Sequence, residues 1–193
     1  YSDSVSNSCG GAKVINRLWS ATDECGNSTN KAQLITVVDT RPPTLTLPPS
    51  VVLDCPASTA PSSTGTATAQ DACSTATVSY SDVVTNGCGG TKVITRTWTA
   101  TDPCGNSVSA QQTITLRDIT APTLVLPSNK TLQCPGDTRT NVTGVAVAND
   151  ACGSVTLTYS DVVSNSCSFT KTVWRLWTAT DQCGNSTNGV QTI

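Results

Sequence analysis

Apolar and polar residues alternate along several short segments of this chain, and a period of two predicts β-strands. The segment at 92–101 shows this best, with Ile94, Arg96, Trp98 and Ala100 on one face and Thr95, Thr97 and Thr99 on the other. Five more strands are predicted, at 43–47, 50–54, 64–70, 75–84 and 108–117. Turn clusters separate them, and short strands at this spacing predict an all-β fold built as a β-sandwich.

The whole pattern recurs every 79 residues. The block Tyr-Ser-Asp-Val-Val at 80–84 returns at 159–163, and the block Ala-Thr-Asp-x-Cys-Gly-Asn occurs at 21–27, 100–106 and 179–185. A fixed period of this size indicates a tandem array of small modules. We predict the C-terminal half of a module at 1–39, a complete module at 40–118 and a nearly complete module at 119–193. We interpret the chain as a window onto a longer protein.

Composition narrows the possible functions. The net charge is -2, so the chain lacks the basic face that binds nucleic acid or an anionic membrane surface. It has no histidine, so neither a Ser-His-Asp nor a Cys-His catalytic site can form. Charged residues make up 12% of the chain, against about 25% in typical soluble domains. We therefore predict a protein that is not an enzyme.

Ten cysteines keep their places in the 79-residue register, at 9, 25, 55, 73, 88, 104, 134, 152, 167 and 183. Small modules with few aromatic residues commonly need covalent cross-links. Cysteines at repeating positions predict a disulfide framework and an oxidising, extracellular setting. Zinc is the weaker alternative, because the chain has no histidine and no Cys-x-x-Cys pair.

Strand length limits the pairing inside one module. Cys88 and Cys104 flank one predicted strand, and Cys73 and Cys88 flank another, so each pair would lie roughly 25–30 Å apart. A disulfide needs Cα atoms within about 7 Å. The remaining scheme pairs Cys55 with Cys88 and Cys73 with Cys104. It recurs as Cys134–Cys167 and Cys152–Cys183, and it leaves Cys9 and Cys25 without partners in this chain.

Arg96 is predicted to lie on the same strand face as the core residue Trp98, and Arg17 and Arg175 hold the same place in their repeats. An inward arginine needs a partner. Asp82, or stacking on Trp98, would supply one. A role in binding is the alternative to this structural role.

Several phrases resemble the hyalin-repeat-like (HYR-like) modules of extracellular proteins. The matching phrases are Asp-Ile-Thr-Ala-Pro at 118–122, Gln-Cys-Pro at 133–135, Asn-Asp-Ala-Cys at 149–152 and Trp-Thr-Ala-Thr-Asp-Gln-Cys-Gly-Asn at 177–185. The resemblance implies immunoglobulin-like sandwiches strung in tandem in adhesins, surface proteins and extracellular assemblies. It supplies no catalytic residues. The extra cysteine that is usual in the last strand of such modules is absent from 108–116.

These observations favour a structural repeat segment of an extracellular, glycosylated fibril, appendage or adhesin stalk. Its expected partners are neighbouring modules of the same long chain, further copies that join by strand addition, and attached glycans. One alternative is a surface adhesion module that binds a glycan or a protein. Another is an accessory region of a large secreted enzyme.

Aspartates cluster at the predicted module ends. Asp39, Asp71 and Asp102 could converge at one junction, and Asp118, Asp150 and Asp181 at the next. Carboxylate oxygens at a linker would suit Ca²⁺, which would stiffen the array. The simpler interpretation is that each aspartate caps its own turn and that no cofactor is bound.

Four Asn-x-Ser/Thr sequons mark candidate glycosylation sites, at Asn27, Asn129, Asn141 and Asn185. Their number is no greater than chance predicts in a chain so rich in serine and threonine.

The third module departs from the repeat at two positions. Phe169 stands where Gly90 stands, and Trp174 stands where Thr95 stands. Trp174 should face outward if Trp177 lies in the core. An outward tryptophan near a phenylalanine is a candidate contact for a neighbouring module, a subunit or a sugar. Alternatively, the two rings cover each other.

Overall fold

The structure, a computed structural model, describes residues 1–166 and 170–193. The predicted all-β class is confirmed. Strands β1 to β14 are Ser2–Asn7, Lys13–Thr22, Ser28–Val37, Thr44–Thr46, Val51–Asp54, Thr68–Gln70, Thr77–Asn86, Lys92–Thr101, Ser107–Arg117, Thr123–Val125, Val147–Asn149, Val155–Asn165, Lys171–Asp181 and Ser186–Thr192. Two single-turn helices, α1 at Pro61–Thr64 and α2 at Thr140–Thr143, complete the described elements.

The strands form five sheets, in the orders β1-β2-β3, β4-β6, β5-β9-β8-β7, β10-β11 and β12-β13-β14. Sequence neighbours pair antiparallel, as in β12-β13-β14, whereas β5 pairs parallel with β9. In the last repeat, β10 contacts β14 and β11 contacts β12, so the small sheet lies against the larger one. Trp177 and Ala179 are buried, and Gly189 leaves room for Leu126. This two-layer arrangement is an immunoglobulin-like β-sandwich.

The segment at 64–70 differs from its prediction as one strand. It begins with the end of α1, and only Thr68–Gln70 is a strand. Pro61 starts the helix in a position where its missing N–H costs nothing. Gly65 ends the helix with φ of 90°, and a Cβ there would lie 2.7 Å from Pro48 Cβ. Glycine thus lets the chain turn tightly from helix to strand.

The described residues form two compact units. The first contains Tyr1–Ser50, Ala60–Val83 and Thr95–Thr113, and the second contains Val51–Thr59, Val84–Ile94 and Ile114–Ile193. These units do not coincide with the 79-residue repeats, because disulfides and packing join parts of successive repeats. The module boundaries at 39/40 and 118/119 stay a prediction.

Candidate functional site: the cross-repeat disulfides

Among the described residues, three disulfides join the repeats to one another. They are Cys9–Cys104, Cys55–Cys152 and Cys88–Cys183, with Cα–Cα distances of 4.9, 5.7 and 5.1 Å. Their sequence separations of 95, 97 and 95 residues exceed one 79-residue period. Each bond therefore connects a cysteine of one repeat to a different cysteine of the next repeat. Each bond also lies within one compact unit.

The predicted bonds inside one module are therefore wrong. Cys55 bonds Cys152 and not Cys88. Cys104 bonds Cys9 and not Cys73. The prediction that Cys9 is unpaired is therefore also wrong.

The bond predicted between Cys152 and Cys183 is also wrong, since Cys183 bonds Cys88. The strands do separate the cysteines that flank them, as predicted. The prediction failed because it considered only partners in the same repeat.

The remaining cysteines fall into two groups. Cys25, Cys73 and Cys134 are free and exposed. Cys25 has no disulfide partner among the described residues, in line with the prediction. Cys167, the predicted partner of Cys134, lies outside the described residues, as does Phe169.

Paired glycines beside Cys9 fit its loop against the next repeat. A Cβ on Gly10 would lie 3.0 Å from Ser74 Cβ, and one on Gly11 would lie 3.2 Å from the Cys73 carbonyl oxygen. The Gly10 Cβ would also lie 3.6 Å from Cys104 Sγ, so the Cys73 and Cys104 turns lie close together as predicted, but Cys104 forms its disulfide with Cys9.

The second cross-repeat loop has the same build. A Cβ on Gly89 or Gly90 would lie 2.8 or 2.9 Å from the Cys152 carbonyl oxygen, to which the Gly90 N–H donates. The motif Cys-Gly-Gly at 9–11 and 88–90 was the available sequence signal, because paired glycines mark a close approach of two backbones.

Arg96, on strand β8, is buried and donates hydrogen bonds to the side chains of Asp82 and Thr64. Its Nε and Nη2 donate to the two oxygens of Asp82, both at 2.8 Å, and its Nη1 donates to Thr64 Oγ1 at 2.9 Å. The guanidinium also lies 4.6 Å from the centre of the Tyr80 ring. The Arg96 hydrogen bonds hold the pKa of Asp82 below its ordinary value, against the opposing effect of burial. The predicted partner of this inward arginine is confirmed.

The same cluster recurs at positions 79 residues away. Arg175 donates to Asp161 at 2.8 Å and to Thr143 Oγ1 at 2.8 Å, and it is equally buried. Arg17 pairs with Asp3 at 2.8 Å, but its side chain is 25% exposed, against 2% for Arg96.

Gln112 is a buried residue that the sequence analysis missed. Its Nε2 donates to the carbonyl oxygens of Pro49 and Thr64, both at 2.9 Å, and its Oε1 accepts from Trp98 Nε1 at 3.1 Å. Gln191 donates to the equivalent carbonyls in the last repeat. One glutamine side chain thus forms hydrogen bonds with residues of both layers of the sandwich. A glutamine at the same place in each repeat, 33, 112 and 191, was the available sequence signal.

The predicted aspartate sets assemble only in part. Ligand atoms of Asp39, Asp71 and Cys73 lie within 4.8 Å of one another, as do those of Asp118, Asp181 and Cys183. Cys183 is in a disulfide, so it offers no thiolate.

Each predicted aspartate also caps a turn. Asp102 Oδ1 accepts from the N–H groups of Cys104 and Asn106, at 2.8 and 2.9 Å. Asp150 accepts from the Cys152 N–H at 2.7 Å, and neither Asp102 nor Asp150 belongs to the groups of close ligand atoms among the described residues.

Calcium at these groups stays the untested alternative to turn capping, and chelation distinguishes the two. We expect EDTA to leave the Tm unchanged, because the carboxylates already accept backbone N–H groups. Thermal melting with EDTA and with added CaCl₂ is the measurement. A Tm that rises with CaCl₂ and falls with EDTA would instead support a calcium junction.

The sequons differ in what their side chains do. Asn27 and Asn185 each donate Nδ2 to the turn aspartate four residues earlier, Asp23 or Asp181. Asn129 accepts from the Thr192 N–H, and Asn141 lies exposed in α2. Asn141 is thus the sequon that best accommodates a glycan, and glycosylation stays a prediction.

Trp174 faces outward, as predicted, and is 42% exposed while Trp177 is 2% exposed. Its cross-strand neighbour is Val162, and Leu176 two residues on lies opposite Val190. All four side chains are exposed and form one apolar surface, the Trp174 patch. The complete module has threonine or glutamine at three of these four positions, so the patch is particular to the last repeat.

Comparisons with known proteins leave the family open. No protein-family model and no curated protein matches the chain. Among solved structures, the chain is similar to "Protocadherin gammaB7 EC3-6 cis-dimer structure", with a TM-score of 0.34 and 15% sequence identity. The match covers 94% of this chain and 57% of that chain. No helix among the described residues is long and apolar enough to cross a membrane.

Proposed function

We propose that this chain is a structural repeat segment of an extracellular fibril, surface appendage or adhesin stalk. The observation that carries the proposal is that every disulfide of the described residues joins two successive repeats. Disulfides persist in oxidising compartments, which supports the extracellular location. The motif resemblance to hyalin-repeat-like modules supports the same proposal.

The three disulfides form overlapping loops, 9–104, 55–152 and 88–183. Any single peptide bond between Cys9 and Cys183 lies inside at least one loop. A proteolytic cut there would leave the two pieces covalently joined. This arrangement suits a segment that must stay continuous under load and in the presence of proteases.

Electron microscopy of the native material tests the proposal. We expect ordered filaments or stalks whose axial repeat matches a whole number of modules. Dispersed particles without an axial repeat would contradict a structural role. Mass spectrometry of the same material would show whether Asn141 carries a glycan.

The Trp174 patch favours a second function, the binding of a glycan or a protein at the cell surface. Exposed tryptophan and aliphatic side chains of this kind are common in interfaces. The patch lies on the outer face of its sheet, where substitution leaves the core intact.

Replacing Trp174 tests the second function with little risk to folding. Trp174→Thr restores the residue that the complete module carries at this place, so we expect an unchanged Tm and loss of any hit on a glycan array. Thr95→Ser, on the same face of the complete module, is the matched control and should keep the hit. A hit that survives Trp174→Thr would remove the patch from the binding surface.

A further inference from the structure

The disulfides follow one rule in the 79-residue register. Cys9 and Cys88 hold equivalent positions, and each bonds the cysteine 95 residues further on. Cys55 bonds the cysteine 97 residues further on. By this rule, two cysteines of each repeat form disulfides with the repeat that follows, and two form disulfides with the repeat that precedes it.

The three free cysteines stand at positions that are bonded elsewhere in the chain. Cys25 is equivalent to Cys104, Cys73 is equivalent to Cys152, and Cys134 is equivalent to Cys55. Each of these equivalents is in a disulfide. We propose that Cys25, Cys73 and Cys134 are half-sites for further cross-repeat disulfides, and that the partner of each is a cysteine of another 79-residue repeat of this kind.

The turns that hold two of these thiols already have the bonded geometry. The N–H of Cys25 donates to Asp23 at 2.9 Å, as that of Cys104 donates to Asp102 at 2.8 Å.

Likewise, the Cys73 N–H donates to Asp71 at 2.8 Å, and the Cys152 N–H donates to Asp150 at 2.7 Å. The turns around Cys25 and Cys73 thus share this hydrogen bond with the turns around their bonded equivalents.

An uncovered sheet face points to the same partner. Trp19 is 46% exposed in the β1-β2-β3 sheet, while its equivalent Trp98 is 3% exposed. Gln112, which bonds Trp98, also donates to Pro49 and Thr64, so residues 40–79 of that repeat supply its opposite layer. The same stretch contains Cys55. A repeat segment that covers Trp19 would therefore also bring the cysteine that Cys73 requires.

The bonding step is an oxidation. Two thiols lose two protons and two electrons as one S–S bond forms. A small-molecule or protein disulfide is the oxidant, and it is reduced to two thiols by thiol–disulfide exchange. The inference rests on the proposed repeat array, but it concerns only which sulfur atoms pair.

Extension of the full chain by known repeat sequence tests the inference. One variant carries a copy of residues 40–79 joined ahead of Tyr1, and its control carries the same copy with Cys55→Ser. Both are oxidised, treated with iodoacetamide and mapped by mass spectrometry without reduction. We expect near-complete alkylation of Cys73 in the parent and in the control. In the extended chain we expect alkylation to fall to background and a peptide to join Cys73 to the copy of Cys55.

A second extension guards against failure of the first to fold. A copy of residues 115–118 followed by a copy of 40–118 is joined after Ile193, and Cys134 should then bond the copy of Cys73. Alkylated Cys73 and Cys134 in two extended chains that retain Cys9–Cys104 would overturn the inference. The pairing result is independent of microscopy, so correct bonds without filaments would count against the proposed function alone.

Discussion

Pulled from its two ends, the oxidised chain should reach an end-to-end distance of no more than roughly 130 Å before its covalent path is taut. The path runs eight residues to Cys9, crosses to Cys104, returns sixteen residues to Cys88, crosses to Cys183 and runs ten residues to the end. At about 3.5 Å per residue, these stretches and the two crossings give that length. The reduced chain should reach roughly 670 Å by the same measure.

Single-molecule force spectroscopy with and without a reductant measures this difference directly. A chain with Cys88→Ser and Cys183→Ser is the matched control, because its shortest path lengthens to roughly 340 Å. Bonds confined to single modules would instead allow roughly 450 Å in the unsubstituted oxidised chain. An extension of that size without reductant would contradict the cross-repeat pairing.

Loss of the carboxylate that pairs with buried Arg96 should have a large effect on stability. We expect Asp82→Asn to lower the free energy of unfolding by about 2–4 kcal/mol. Removing one partner of a buried pair costs about 3–5 kcal/mol, because the other charge stays buried and uncompensated. We expect a smaller loss than in a fully buried pair because Asp82 is 26% exposed, although Arg96 is only 2% exposed.

The N-terminal sheet supplies the control for this substitution. Asp3 is as exposed as Asp82 and makes the same two bonds of 2.8 Å, but its partner Arg17 is partly open to water. Asp3→Asn should therefore have a much smaller effect, since water solvates the remaining charge. Urea denaturation of both variants gives the comparison. Equal losses at the two positions would show that burial of the guanidinium is not the cause.

The effect of Asp82→Asn should also depend on pH. The pKa of Asp82 is lowered from its ordinary value of 3.8, so the folded state binds fewer protons than the unfolded state. The stability from the ion pair is therefore complete above that ordinary value and is lost as pH falls through the folded pKa. The parent and the variant should converge in acid and differ fully at neutral pH.

Local patterns in the sequence were enough to predict the strands and the inward arginine. Alternation along 92–101 predicted β8 at its observed bounds and placed Arg96 beside Trp98. Such inferences succeed because side-chain direction in a strand follows from the period of two alone. The outward direction of Trp174 followed from the same rule.

Pairing between repeats could not be predicted in that way. The spacing of Cys55 and Cys88 states how far apart they lie along the chain, but it does not state which repeat lies across from them. Single-turn α1 was also missed, because Pro61 and the serines after it are equally typical of a turn. Contacts between residues distant in sequence decide both features.

The cross-repeat rule also determines how such a chain can change in length. If one 79-residue repeat is inserted between two others, its cysteines form the bonds on both sides, and Cys25, Cys73 and Cys134 stay as they are among the described residues. After loss of a whole repeat, the two repeats that become neighbours likewise pair their cysteines by the same rule. An insertion or deletion of half a repeat would leave thiols in the middle of the array without disulfide partners. Gene duplication and contraction in whole repeats would therefore lengthen or shorten the protein while its covalent framework stays intact.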